Sequence, residues 1–147
     1  MSHQVFSIGL ITLASLIGGL GCGGPASDVY PVNGIVQFPD GKLLRSGTVE
    51  LELIGQKDPI TATARISPDG TFTMGTYKAD DGALAGKHRV VVLSDYEIGN
   101  GAERPGLIPE PLLDTKYRSF RTSGLQVEVK PETNNVVLEV QYAKAAP

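Results

Sequence analysis

The sequence predicts an all-β fold, a seven-stranded antiparallel β-sandwich that follows an N-terminal signal segment. Three observations predict it. Apolar and polar residues alternate with a period of two in several short runs. Turns of the Pro-Asp-Gly and Asp-Asp-Gly kind separate those runs. No long segment carries the 3.6-residue periodicity of an amphipathic helix.

The strands follow in chain order. Val32, Gly34, Val36 and Phe38 share one face of the first, with Ile35 on the other. Thr48–Leu53 alternates Val49, Leu51 and Leu53 against Glu50 and Glu52, and Ile60–Ile66 alternates Ile60, Ala62, Ala64 and Ile66 against Thr61, Thr63 and Arg65. In Thr71–Met74, Phe72 and Met74 point inward. Arg89–Leu93 is apolar on nearly both faces, which predicts a central strand. Leu125–Val129 and Val136–Tyr142 resume the alternation, the latter with Val136, Leu138, Val140 and Tyr142 on one face. Pro39–Lys42, Pro68–Thr71 and Asp80–Gly82 are turns, since Asp bonds its own backbone and Gly supplies positive φ. Pro131–Asn135 is expected to close a last hairpin. The span 94–124 holds Pro105, Pro109 and Pro111 and lacks a strand pattern; loops of that length usually carry function or lack order.

Composition narrows the functional classes. A length of 147 residues suits one domain. The 18 glycines and 10 prolines exceed the usual share of roughly 12% but fall short of the roughly 25–30% of disordered chains. A net charge of -3 offers no general attraction to nucleic acid, so no nucleic-acid partner is expected. A single cysteine excludes an intrachain disulfide and any cysteine-cluster metal site.

The amino terminus bears on the compartment. No Asp, Glu, Lys or Arg occurs from Ser2 to Ser27. Val5–Leu20 is an apolar run of 16 residues, short of the ~20 that cross a bilayer as a helix. It ends in Leu20-Gly21-Cys22-Gly23, and an apolar stretch closing on small residues reads as a secretory signal peptide. This ending resembles the lipobox of bacterial lipoproteins: Gly21 and Cys22 match its last two positions, while Gly19 stands where Leu is usual. The resemblance implies cleavage before Cys22 and acylation of its sulfur, palmitate being a typical acyl chain. The alternatives are cleavage without an anchor, an uncleaved anchor, and a buried apolar helix with an ordinary thiol. The expected organisation is a lipoprotein signal peptide over 1–21, a tether over 22–29, the sandwich over 30–142 and a tail over 143–147.

Further motifs carry a second resemblance. Val32-Asn33-Gly34-Ile35-Val36, Asp40-Gly41-Lys42-Leu43-Leu44 and Gly47-Thr48-Val49 look like the opening of carboxypeptidase-regulatory-like domains. Ser67-Pro68-Asp69-Gly70-Thr71-Phe72 resembles their central turn and strand, and Gly82–Val90 the segment that enters the next strand. Thr122-Ser123-Gly124-Leu125 is similar to the approach to their penultimate strand. The resemblance spans about Tyr30 to Tyr142 and implies a transthyretin-like, or prealbumin-like, sandwich without catalytic residues of its own. Fold does not fix function.

Candidate chemistry is sparse. Transthyretin-related hydrolases carry a C-terminal Tyr-Arg-Gly-Ser motif and several histidines. Here Tyr117-Arg118-Ser119 lies internally without the glycine, and His88 is the only histidine beyond the signal segment. A catalytic His88 needs a serine and an aspartate converging on it; otherwise it is a strand residue with a solvated or hydrogen-bonded ring. Calcium needs only oxygen ligands, for which Asp80, Asp81 and Asp95 are candidates, although Asp-Asp-Gly is also an ordinary turn. Arg104, Lys116, Arg118 and Arg121 interleave with Tyr117 and Phe120, residue types suited to a sugar, a peptide or an acidic polymer. The plainer reading packs the two rings inward and leaves the cations wet.

The expectation is therefore an exported, lipid-anchored module, non-catalytic and without a cofactor or metal. It would face the periplasm or the outer-membrane surface, held to the membrane through Cys22, with an envelope protein or a glycan as partner. The alternatives are a transthyretin-related hydrolase and a calcium-stabilised adhesion module.

Overall fold

The computed structural model describes residues 28–95 and 113–144. The expected signal segment, Cys22, most of the expected tether and Arg104 lie outside the described residues.

Alternation becomes architecture through register. Strands β3 (Gly47–Leu53), β4 (Thr61–Ile66), β7 (Gly86–Ser94) and β8 (Gln126–Val129) form one sheet in the order β4-β3-β7-β8, antiparallel throughout. Leu51 lies opposite Ala62 on one side and Val90 on the other; Val49 lies between Ala64 and Val92. These six share one face and are buried. The interior position expected for the Arg89–Leu93 run is occupied by β7.

Strands β2 (Val32–Gln37), β5 (Thr71–Thr73) and β9 (Asn134–Glu139) form a second sheet in the order β5-β2-β9. Its inner face sets Val36 beside Leu138 and lays Phe72 and Val136 on either side of Gly34. Both sheets contribute to a single hydrophobic core that also takes in Phe38, Leu44, Met74, Leu113, Tyr117 and Val140. Burying each such large side chain stabilises the fold by roughly 1.5–3 kcal/mol before entropy is counted. The described residues are thus all-β, apart from one 3₁₀ turn over Thr115–Arg118.

Three expectations need correction. First, the sheets are not antiparallel throughout, because β2 and β9 run parallel. Second, Pro131–Asn135 does not close a hairpin. Strand β8 pairs with β7 and β9 with β2, so this turn hands the chain from one sheet to the other. The cause is Asn134, which belongs to β9 and is buried. Its Nδ2 donates to the carbonyls of Glu132 (2.7 Å) and Lys130 (3.1 Å), and its Oδ1 accepts from Lys130 N (2.9 Å). Its backbone N–H donates to Pro31 O (2.8 Å), which seats the start of β9 beside β2. Third, nine strands are described rather than seven. Seven make the two larger sheets, and β1 (Val29–Tyr30) pairs with β6 (Ala83–Leu84) as a two-residue ribbon too short to show a period.

The expected turns fall in place. Gly41 (φ 82°) and Gly70 (φ 86°) take left-handed conformations at the tips of their turns. Asp69 accepts from Thr71 N at 3.0 Å and Thr71 Oγ1 at 2.7 Å, which draws its carboxyl below the ordinary value.

Candidate functional site

The outward face of the three-stranded sheet forms a shallow groove of about 440 Å³. Cross-strand register builds it. Thr73, Asn33 and Asn135 lie side by side across the strands, and the next outward row is Thr71, Ile35 and Val137. Thr73 Oγ1 donates to Asn33 Oδ1 at 3.0 Å, which orients the amide at the middle of the first row. Val137 in the second row is 57% exposed, a large apolar side chain left open at a strand position. Under the floor the core closes tightly on Gly34: a Cβ there would lie 2.5 Å from Phe72 Cζ and 2.6 Å from the Val136 carbonyl oxygen. The residues lining the groove include amides, hydroxyls and apolar groups but no ionisable side chain. It can therefore hold a ligand through neutral hydrogen bonds and apolar contact, and it offers no acid or base for catalysis.

The groove is only partly legible in the sequence. Alternation put Ile35 and Val137 on outward faces, but the lateral neighbours Asn33, Thr73 and Asn135 are set by strand order, which one-strand patterns do not encode.

His88 sits at the opposite sheet, between Leu53 and Val127 in register, and is 1% exposed. Its Nδ1 lies 3.1 Å from Gly86 O. A carbonyl only accepts, so Nδ1 carries the proton. Burial pushes the ring's pKa below its ordinary value, with the Gly86 carbonyl a smaller opposing influence. Such a ring is sealed from solvent and held by its own strand.

The three calcium candidates do not converge on one site, although Asp80 and Asp81 are neighbours in the chain. Asp81 accepts from Thr76 N (2.7 Å), Lys78 N (2.9 Å) and Tyr77 N (3.2 Å), bonds that draw its pKa down and close the 76–81 loop. Asp80 supplies the turn's positive φ of 61°. Asp95 accepts from Ser46 Oγ and from Arg65 Nη2 (2.8 Å) at the far end of β7. Among the described residues no group of three or more His, Cys, Asp or Glu is placed to hold a metal ion.

The aromatic and basic candidates also divide. Tyr117 is 4% exposed and belongs to the core. Lys116 Nζ lies 4.8 Å from the Tyr117 ring centre and donates to Gln141 Oε1 at 3.1 Å, so it pins the 3₁₀ turn to the segment just after β9. Phe120 is half-buried, with the Arg89 guanidinium 5.9 Å from its ring centre, and Arg89 also pairs with Glu52. Arg118 and Arg121 are exposed. The structure thus uses Lys116, Tyr117 and Phe120 to fasten this segment to the sandwich rather than to gather them into one open patch.

No family model matches the chain, and no curated protein or solved structure does either.

Proposed function

We propose that this protein is a lipid-anchored module of the bacterial cell envelope that binds a neutral partner, a glycan or an uncharged stretch of polypeptide, without catalysing a reaction. The observation that carries the binding reading is the groove beside β2, whose Asn33, Asn135, Thr71 and Thr73 supply hydrogen-bonding groups around apolar Ile35 and Val137 with no titratable side chain among its lining residues. The burial of His88 against its own strand favours binding over hydrolysis. The apolar run before Cys22 supports export and acylation at that cysteine. A diacylated and N-acylated cysteine holds a chain stably, since two acyl chains suffice and each buried CH₂ contributes ~0.8 kcal/mol.

Under the same reading the body is a prealbumin-like, carboxypeptidase-regulatory-like sandwich. Its support is that the three- and four-stranded sheets share one core and that the motifs quoted above fall on β2, β3, β5 and β7.

Two experiments test the proposal. Labelling with a palmitate analogue should mark the wild-type chain in the membrane fraction, and Cys22→Ala should remove the label and release the chain. Persistence of an unmodified thiol on a soluble product overturns the anchor. Detergent-solubilised full chain should retain an envelope glycan or protein on a column, and Asn33→Ala with Asn135→Ala should abolish that retention. Retention that survives both substitutions overturns the groove as the binding surface.

A further inference from the structure

Beyond that reading, we infer that the open edge of β9 pairs antiparallel with β9 of a second copy of this chain, centred on Val137. Hydrogen-bond parity identifies the edge. Asn134 N–H donates to Pro31 O and Val140 N–H to Gln37 O, so the even-numbered residues of β9 bond inward to β2. The backbone groups of Asn135, Val137 and Glu139 therefore point away from the sheet, and no other described strand meets them. The opposite end of this edge is closed, because Asp114 N–H donates to Gln141 O at 3.1 Å.

The other sheet edges are blunted. Strand β4 is crossed at Thr63, which exchanges backbone bonds with Gly75 (2.8 and 3.0 Å). Strand β5 has three residues, and the Thr71 carbonyl is taken by Ser67 N–H. Strand β8 has four residues, with charged Glu128 among those exposed at its rim. Among the described strands, only β9 combines a six-residue length with an open row of donors and acceptors and an exposed valine at its centre. Such an edge is a template for another strand.

The sequence of β9 favours a second copy as the occupant because it is complementary to itself when centred on Val137. Centring on Val137 places Val137 opposite Val137, and Asn135 opposite Glu139 on each side. All three are pairs of the hydrogen-bonded kind, exchanging two N–H···O bonds each. Between them Val136 meets Leu138 on the inner face, which extends the core across the junction. No like charges face one another. Centring on Glu139 would set two carboxylates opposite each other and would need the Gln141 carbonyl, which is occupied. Centring on Asn135 would leave the strand and run into the Pro131–Thr133 turn. In the favoured register that turn bends each chain away where the other chain's Leu113–Asp114 closes the edge. The two outward grooves would then lie on one continuous six-stranded sheet.

Site-directed disulfide formation tests the register on the purified full chain in detergent, with Cys22→Ala in every variant so that neither acylation nor a thiol at that position bears on the outcome. Opposed residues of a hydrogen-bonded pair have Cα atoms about 5.5 Å apart, within the ~4.4–6.8 Å of disulfides. Val137→Cys should therefore cross-link to itself on mild oxidation. Asn135→Cys and Glu139→Cys should each fail alone, since like positions lie about 13 Å apart along the strands, but should cross-link when mixed. All three positions are exposed, so the substitutions leave the core untouched. Amide exchange supplies a readout without substitution: the N–H groups of Asn135, Val137 and Glu139 should slow as concentration rises. Val137→Lys should weaken association roughly ten-fold by setting two ammonium groups face to face. Self-cross-linking of Asn135→Cys as fast as Val137→Cys overturns the inference. So does exchange at the three edge amides that ignores concentration.

Discussion

The two sheets of this molecule differ in a way their strands' own sequences conceal. Both alternate apolar and polar residues, and both bury one face in the same core. The four-stranded sheet is antiparallel, with edges crossed or short. The three-stranded sheet is mixed, carries the groove, and ends in the open edge of β9. Alternation specifies which side of a strand is wet, and says nothing about the strand's neighbour or its direction. Function at a sheet surface depends on those two properties.

The largest predicted effect tests whether the two sheets are one folding unit. Phe72, from the three-stranded sheet, is 2% exposed, and Leu51, from the four-stranded sheet, is 1% exposed. Phe72→Ala should cost ~3–5 kcal/mol and Leu51→Ala ~2–5 kcal/mol, read by denaturant unfolding. Each variant should retain a single transition. If Phe72→Ala produces an early partial transition while Leu51→Ala unfolds the whole chain, the shared core is not cooperative.

Smaller effects come from features peculiar to the three-stranded sheet. Gly34→Ala should cost ~1–3 kcal/mol because its methyl group would meet Phe72 Cζ at 2.5 Å and the Val136 carbonyl at 2.6 Å. Phe72→Ala should relieve part of that overlap, so the double substitution should cost less than the sum. Strict additivity would show that Phe72 does not lie over Gly34. Asn134→Ala should also cost ~1–3 kcal/mol, since it strips hydrogen bonds from the carbonyls of Lys130 and Glu132 at a buried position. An undiminished melting temperature for Asn134→Ala would remove this residue as the clasp between the sheets.

That clasp also marks where the sequence stopped being readable. Pro131–Asn135 looks like hairpin chemistry, and a turn does form there. Its destination depends on the backbone contact between Asn134 and Pro31, 103 residues apart along the chain, which no local pattern contains. Strands β1 and β6 are not legible in the sequence, because two residues cannot display a period. By contrast the inward faces of β3, β4 and β5 were legible, because each repeats its alternation against a fully covered side. Val91 falls between these cases. It lies on the face opposite Val90 and Val92 yet is only 3% exposed, and Arg89 on that same face meets Phe120, a ring from a segment far along the chain. The candidate site fared worse than the strands. Its residues are ordinary Asn, Thr and Val until β5, β2 and β9 are set side by side.

Acid should act through two pH windows, one set by a strand residue and one by turn residues. The folded-state pKa of His88 lies below its ordinary 6.5, so the unfolded chain binds the proton first. Stability should be full above about that value and decline as pH falls below it, until the folded ring also protonates. His88→Leu should flatten this window, as judged by melting temperature against pH. Asp40, Asp69 and Asp81 act lower. Lys42 beside Asp40, and backbone N–H groups at Asp69 and Asp81, hold these carboxyls below 3.8. Their contribution is present above that value and is lost as pH falls through the folded pKa values. A His88→Leu variant that keeps the upper slope would assign it to another group.

The smallest predicted effect lies on the outer face of the four-stranded sheet and sharpens the contrast in the opposite sense. Arg89 pairs with Glu52 and lies over Phe120, an arrangement that looks built for recognition. Its side chain remains 47% exposed, so water and salt screen the pair, and exposed pairs contribute ~0–1 kcal/mol. The aromatic contact at 5.9 Å lies near the limit of cation–π attraction, worth ~0.5–1 kcal/mol at an exposed site. Arg89→Ala should therefore cost less than about 2 kcal/mol, and added salt should narrow the difference from wild type. It should also leave partner retention unchanged, because Arg89 and the groove belong to different sheets. Loss of retention in Arg89→Ala with stability intact would move the binding surface from the three-stranded sheet to this one and reverse the assignment of roles between them.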